Sequence, residues 1–147
     1  MTIRSIGSRD NPLLVRVRKL LADPGAYRKQ GAVWIEGEHL CSAYRQRGGA
    51  SAPATQAIIG ESGWHTPALR HLAESTGEVA VLPDVLMASL STLESPAPIG
   101  FVVSWPGPGT LAPDRASVVL DRLQDAGNVG NILRSAAAFG FEQVIAI

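Results

Sequence analysis

The sequence predicts a layered α/β protein in which a linker separates a larger domain from a smaller one. Short apolar segments typical of strands alternate with segments of helical periodicity, which indicates a largely parallel sheet. Three prolines and two glycines fall within residues 105–113, where neither pattern continues. We therefore predict a domain at residues 1–104, a linker at 105–115, and the first part of a second domain at 116–147.

Local signals place the elements of the first domain. Asn11 is a typical helix cap and Pro12 a typical first helical residue, so a helix is predicted from Pro12 to Leu21. Periodicity and glycine or proline breaks predict the others. They are strands at 32–36, 56–59, 78–82 and 99–104, helices at 26–30, 38–47, 67–75 and 84–90, and a loop at 48–53.

Composition excludes several classes of protein. With 46% hydrophobic residues and a mean hydropathy of +0.12, the chain is not of the disordered class. No apolar run approaches the roughly 20 residues of a membrane span, and residues 1–8 do not resemble a secretory signal. A single cysteine, Cys41, excludes an internal disulfide, and no Cys/His cluster has metal-ligand spacing. We expect a cytoplasmic protein without membrane or metal partners.

The net charge of zero hides an uneven distribution. Residues 1–30 carry seven Lys or Arg against Asp10 and Asp23, a balance of +5, so the rest of the chain carries −5. A basic segment beside an acidic body is typical of proteins that bind a polyanion. An ordinary solvated helix face is the alternative, and the charge pattern alone does not decide between them.

The second segment predicts a strand–loop–helix unit followed by a second parallel strand. Residues 117–120 are apolar enough for a central strand, and residues 128–139 have an apolar stripe at helical spacing. Gly140 is a natural helix stop, and residues 141–147 form the next strand. The helix places Asn128, Asn131 and Arg134 within two turns of one another. Ligands bind at this edge of an α/β sheet.

Two glycines flank Asn128 at the entrance to this helix. Gly127 and Gly130 would allow a ligand or RNA to approach the backbone, and a helix N-terminus favours anionic groups. A tight turn alone would also explain them. The pattern is neither a dinucleotide fingerprint nor a phosphate-binding P-loop, which argues against a small-ligand protein of those types.

Residues 121–140 closely resemble the first signature motif of the SpoU/TrmH family of RNA ribose 2′-O-methyltransferases. The shared pattern is D-x-x-Q-D-x-G-N-x-G-x-I-x-R-[S/T]-A-x-A-F-G. Ala126 and Ala137 depart from it, where the family often has Pro and Asp. Residues 6–12, 34–40 and 98–103 resemble the family's N-terminal substrate-binding domain, with Ile99 replacing the usual Gln.

The resemblance implies a fold. The first domain would be an α/β/α sandwich of the type shared with ribosomal proteins that bind kinked RNA. Residues 116–147 would then be the first βαβ unit of a SPOUT domain, whose trefoil knot is formed by later motifs. Because the chain stops at Ile147, we expect it to lack the knot.

The resemblance also implies a function, which is S-adenosylmethionine-dependent methylation of a ribose 2′-hydroxyl in rRNA or tRNA. The residue matching Arg134 acts on the hydroxyl, the residue matching Asn128 shapes the same site, and a homodimer completes it. The basic segment supplies candidate RNA phosphate contacts: Arg4, Arg9, Arg16, Arg18, Arg28 and Lys29. Since the family's cofactor motifs come later, we expect residues 1–147 to bind RNA but not the cofactor, and to be inactive alone. A non-catalytic RNA-binding module is the alternative.

Overall fold

A computed structural model describes residues 1–48 and 55–147 and divides them into two compact units, Met1–Gly107 and Pro108–Ile147. Apart from Gly48, the loop predicted at 48–53 lies outside the described residues. Each unit is described by itself. No helix in the described part of the chain is long and apolar enough to cross a membrane.

The first unit alternates strands and helices as the sequence predicts. Its described elements are β1 Thr2–Ser5, α1 Pro12–Ala22, α2 Ala26–Gln30, β2 Ala32–Glu36, α3 Glu38–Gly48, β3 Thr55–Gly60, α4 Glu61–Trp64, α5 Pro67–Glu74, β4 Glu78–Leu82, α6 Asp84–Ala88 and β5 Ile99–Ser104. The start of α1 is confirmed, because the Asn11 side chain accepts a hydrogen bond from the Leu13 amide at 3.0 Å. β1 and α4 were not predicted.

The sheet has the order β1-β4-β3-β5-β2. β4 runs parallel to β1 and β3, whereas β5 runs antiparallel to both β3 and β2. The prediction of a largely parallel sheet is therefore right for the direction of four strands and wrong for β5. The connection from β4 to β5 contains the five-residue helix α6 and no long crossover helix of the kind that returns a chain to the opposite edge of a parallel sheet. β5 consequently starts at the edge where β4 ends.

Helices cover both faces of this sheet. α1 and α6 pack on one face, where Leu14 and Val17 are fully buried. α3 and α5 pack on the other, against Phe101 and Ile59. Alternate residues of each strand point to opposite faces, so neighbouring apolar residues of β3 and β5 serve different helical layers.

The second unit is a single βαβ unit. Its described elements are β6 Ser117–Leu120, α7 Ala126–Ala138 and β7 Gln143–Ala146, and β6 pairs with β7 in parallel. The helix predicted at 128–139 begins two residues earlier, because Asp125 caps it by accepting from the Asn128 amide at 2.6 Å. Gly140, at φ 78°, lies just beyond its end, as predicted.

Candidate active site

The loop between β6 and α7 leaves the sheet at the carboxyl ends of both strands. The Ile147 amide donates to the Leu120 carbonyl at 2.9 Å, and the Arg122 amide donates to the Ile147 carbonyl at 3.1 Å. Arg122 has φ 49°, a left-handed conformation that is uncommon for a residue with a side chain. These two bonds hold the start of the loop beside β7, so α7 begins at the edge where ligands bind in α/β sheets.

Arg134 is held by a residue one helical turn before it. Its Nη2 donates a hydrogen bond to Asn131 Oδ1 at 2.6 Å, and both residues are exposed. Long helical side chains point toward the helix N-terminus, and this bond shows that Arg134 does so. Gly130 lies under the guanidinium: a Cβ built there would be 3.5 Å from Arg134 Nη1. Arg134 and Asn131 are therefore one polar pair on the outer face of α7.

Asn131 was placed near Arg134 by the sequence but was not among the predicted site residues. The signal that could have found it is the spacing of three, since residues i and i+3 are neighbours on a helix surface. An amide three residues before an arginine has an oxygen within reach of the guanidinium. Asn131 is the acceptor that fixes the orientation of Arg134.

Asn128 lies in the first turn of α7 with an exposed side chain. Among the described residues, no hydrogen bond joins it to Arg134, and the two residues are about 9 Å apart along the helix axis. At 3.6 residues per turn, the two positions are also about 120° apart around the helix axis. A bound group, rather than a direct contact, would have to connect them.

Two of the predicted phosphate contacts, Arg16 and Arg18, are partly buried and bonded inside the first unit. Arg16 Nη2 donates to the carbonyl of Gln30, the last residue of α2, at 2.9 Å. Arg18 Nη2 donates to the Arg9 carbonyl, which ties the loop before α1 to that helix. These donors satisfy backbone oxygens, so the two arginines also have structural roles.

The remaining predicted contacts lie at the surface. Arg4 faces Glu78 across the β1–β4 ladder, with Nη2 and Oε2 3.6 Å apart. Arg28 stacks over Tyr27 at 5.4 Å and also donates to its hydroxyl through Nε. Arg9 and Lys29 are exposed. Exposed cations of this kind are available to an anion, whereas the charge of Arg4 is partly balanced.

Cys41 is not a candidate catalytic nucleophile in this fold. Its thiol is fully buried under α3, and burial raises the pKa of Cys41 to about 12. A thiol of this kind stays protonated and is a poor nucleophile. The described residues also contain no group of three or more His, Cys, Asp or Glu that could hold a metal ion.

Comparison with known proteins identifies the second unit. Residues 115–147 match the SpoU rRNA Methylase family. This match covers most of the second unit. An uncharacterized tRNA/rRNA methyltransferase of Synechocystis sp. is 36% identical over 151 residues, which cover 97% of this chain and 52% of the relative. The family match spans the loop and helix that carry Asn128, Asn131 and Arg134.

Solved structures of methyltransferases share the mixed α/β fold. An RNA 2′-O ribose methyltransferase superposes with a TM-score of 0.69 at 25% identity, over 97% of this chain and 55% of that one. The SpoU methyltransferase AviRb from Streptomyces viridochromogenes, solved with AdoMet, has a TM-score of 0.76 at 22% identity, over 92% and 52%. The chain spans about half the length of these relatives.

Proposed function

We propose that the protein methylates a ribose 2′-hydroxyl of rRNA or tRNA with S-adenosylmethionine as methyl donor. The observation that carries the proposal is the Arg134–Asn131 pair on α7, within the residues that match the SpoU family. The proposal is supported by a structural relative that is an RNA 2′-O ribose methyltransferase and by another that was solved with AdoMet.

Arg134 stabilises and orients the hydroxyl instead of accepting its proton, which passes to solvent water as the oxygen takes the methyl group. A guanidinium remains protonated and offers donors only, so it is no general base. Donors aimed at a hydroxyl become more valuable as that oxygen acquires negative charge in the transition state. Asn131 holds one nitrogen of Arg134 at 2.6 Å and thereby limits the rotation of the guanidinium. Asn128, nearer the helix N-terminus, has an exposed amide that can bind the same ribose or its phosphate.

The cavity in the second unit does not fit the methyl donor. The donor supplies an electrophilic methyl group on a sulfonium, and it also carries a zwitterionic amino acid and an adenine. A cavity of about 310 Å³ in the second unit is mostly apolar and has no charged residue in its lining, which includes Val118, Ile132 and Phe139. We therefore assign no residue of this chain to the donor.

We further propose that each domain has the function that the family resemblance implies. Residues 1–104 would bind the RNA substrate as a sandwich of the kinked-RNA-binding type, residues 105–115 would be a linker, and 116–147 would open the trefoil-knot domain. Helices on both faces of the sheet support the first assignment. Exposed apolar side chains of the second unit support a homodimer, namely those of Val119, Leu133 and Phe139.

The test maps ribose methylation in cells with and without the whole gene. Sequencing after alkaline hydrolysis detects each 2′-O-methyl group as a protected position. We expect one or a few positions to lose protection on deletion and to regain it with the wild-type gene but not with Arg134→Ala. Arg47→Ala, which removes an exposed arginine of α3, is the matched control and should restore methylation. Unchanged methylation on deletion would instead favour a non-catalytic RNA-binding module.

A further inference from the structure

Helices α1 and α2 form the walls of an open groove of about 630 Å³ in the first unit. Pockets that bind small molecules have volumes of roughly 300–1,000 Å³. The groove is lined largely by apolar atoms, contributed by Val15, Ala22 and Ala26 among others. Three cations, Arg16, Lys19 and Lys29, stand around this apolar floor.

The charges around the groove are uneven. The chain contains two lysines, and both of them line the groove. No ion pair within the described ranges involves Lys19, Lys29 or Arg16. The single carboxylate in the lining, Asp23, accepts a hydrogen bond from the Gly25 amide at 2.8 Å, which fixes the turn between the helices. Three cations against one carboxylate leave the groove with a charge of +2.

We propose that this groove binds an unpaired nucleotide of the RNA, with its base on the apolar floor and its phosphates at Lys19 and Lys29. The inference rests on the proposed function and names a subsite for it. A duplex presents phosphates and sugars to a surface but keeps the faces of its bases stacked inside, so it has nothing to place on an apolar floor. A single strand offers a flat apolar base beside each phosphate, which matches a groove of this composition.

Amine labelling of the 147-residue chain gives a direct test, because its primary amines are the two lysines and the N-terminus. N-hydroxysuccinimidyl acetate would acetylate them, and mass spectrometry would report each rate separately. With a single-stranded 12-nucleotide RNA at about ten times its Kd, we expect both lysine rates to fall about tenfold, since about nine in ten grooves are occupied. The N-terminal amine is the internal control and should react at an unchanged rate.

Substitutions separate the two parts of the groove. Lys19→Gln with Lys29→Gln should reduce the slope of log Kd against log salt by about 1.4, because each phosphate contact on a single strand contributes about 0.7. Ala22→Leu fills the floor without changing charge, so we expect about tenfold weaker binding of single-stranded RNA at an unchanged slope. Arg45→Gln with Arg47→Gln, on α3 across the sheet, is the charge-matched control and should leave both quantities unchanged.

Fluorescence anisotropy of a fluorescein-labelled 12-mer, as a single strand and as a duplex, measures these effects. Circular dichroism checks that each variant is folded. The inference is overturned if both lysines label normally in the presence of bound RNA, if the duplex protects them equally, or if a polyglutamate peptide protects them better. In those cases the methylation map still decides the proposed function independently. If the chain binds neither RNA, the groove inference and the RNA-binding role of the first unit both fail.

Discussion

Replacing Gly100 with alanine tests the packing between β2 and β5. Gly100 is buried, and a Cβ built on it would lie 2.2 Å from Cη2 of Trp34 and 2.9 Å from the Ile35 carbonyl oxygen. Carbon atoms in contact are about 3.5–4.0 Å apart, so the indole ring would have to move by more than about 1 Å. Overpacking a core of this kind costs about 1–3 kcal/mol. We expect Gly100→Ala to lower the free energy of unfolding by that amount.

A double-mutant cycle identifies what the new methyl group meets. Urea unfolding followed by circular dichroism would give the cost of Gly100→Ala in the wild-type background and in Trp34→Leu. Leucine lacks the two ring carbons nearest the new methyl group, so the cost should be at least about 1 kcal/mol smaller in that background. Equal costs in both backgrounds would refute the reasoning and would assign the conflict to the Ile35 backbone, which Trp34→Leu leaves in place.

Three further predictions concern the helix cap, the arginine pair and the buried thiol. Asp125→Ala should destabilise α7 by about 1 kcal/mol, whereas Asp125→Asn, which keeps the acceptor oxygen, should cost less. The loss of stability is measured as faster hydrogen exchange of the Asn128 amide. Equal losses in the two variants would contradict the capping role of Asp125. In the whole protein, Asn131→Ala should reduce methylation less than Arg134→Ala, and greater loss would mean that Asn131 itself contacts substrate. Because the pKa of Cys41 is raised in the folded state, the thiol's contribution to stability is present below pH 9 and is lost toward pH 12. Between these values the free energy of unfolding of the wild type should fall by roughly 1.4 kcal/mol per pH unit more than that of Cys41→Ala. Parallel pH profiles of the two proteins would show that the thiol is accessible.

Elements with local signals could be predicted from the sequence, and elements that depend on distant partners could not. The Asn11-Pro12 start of α1 is encoded in two adjacent residues, and the structure shows the expected cap. β1, in contrast, is four exposed residues with no apolar alternation, Thr2–Ser5. It is a strand because it pairs with β4, more than seventy residues later. Such pairing leaves no trace in a local window of sequence.

The family resemblance located two segments of the first domain without revealing that they lie side by side. Glu36 and Gly37 lie in one segment, and Ile99 lies in the other. In the structure the Gly37 amide donates to the Ile99 carbonyl at 2.9 Å, and Glu36 Oε1 accepts from the Ala97 amide at 3.1 Å. These bonds join β2 to the entrance of β5. Gly100, which has no side chain, also belongs to this contact, since the Trp34 ring occupies the space that a Cβ would need.

Helical spacing predicted which residues lie near Arg134 but not which of them accepts its hydrogen bond. Periodicity places Asn131 about one helical turn from both Asn128 and Arg134. The partner depends on the rotamer of a long side chain, which the structure directs back by one turn to Asn131. The i, i+3 spacing makes Asn131 a possible partner, and the atomic positions show that the hydrogen bond is made.

The basic segment has fewer cations available to bind RNA than its formal charge suggests. Each arginine counts as +1 in the sequence, yet Arg16 and Arg18 use donors on backbone carbonyls and Arg4 faces Glu78. The lysines have no such bonds within the described residues and lie in the groove between α1 and α2. If all seven cations met phosphates, the salt slope for single-stranded RNA would be about −5, whereas contacts of the two groove lysines alone would give about −1.4. The measured slope thus tests whether the excess charge is a diffuse attraction or one defined subsite.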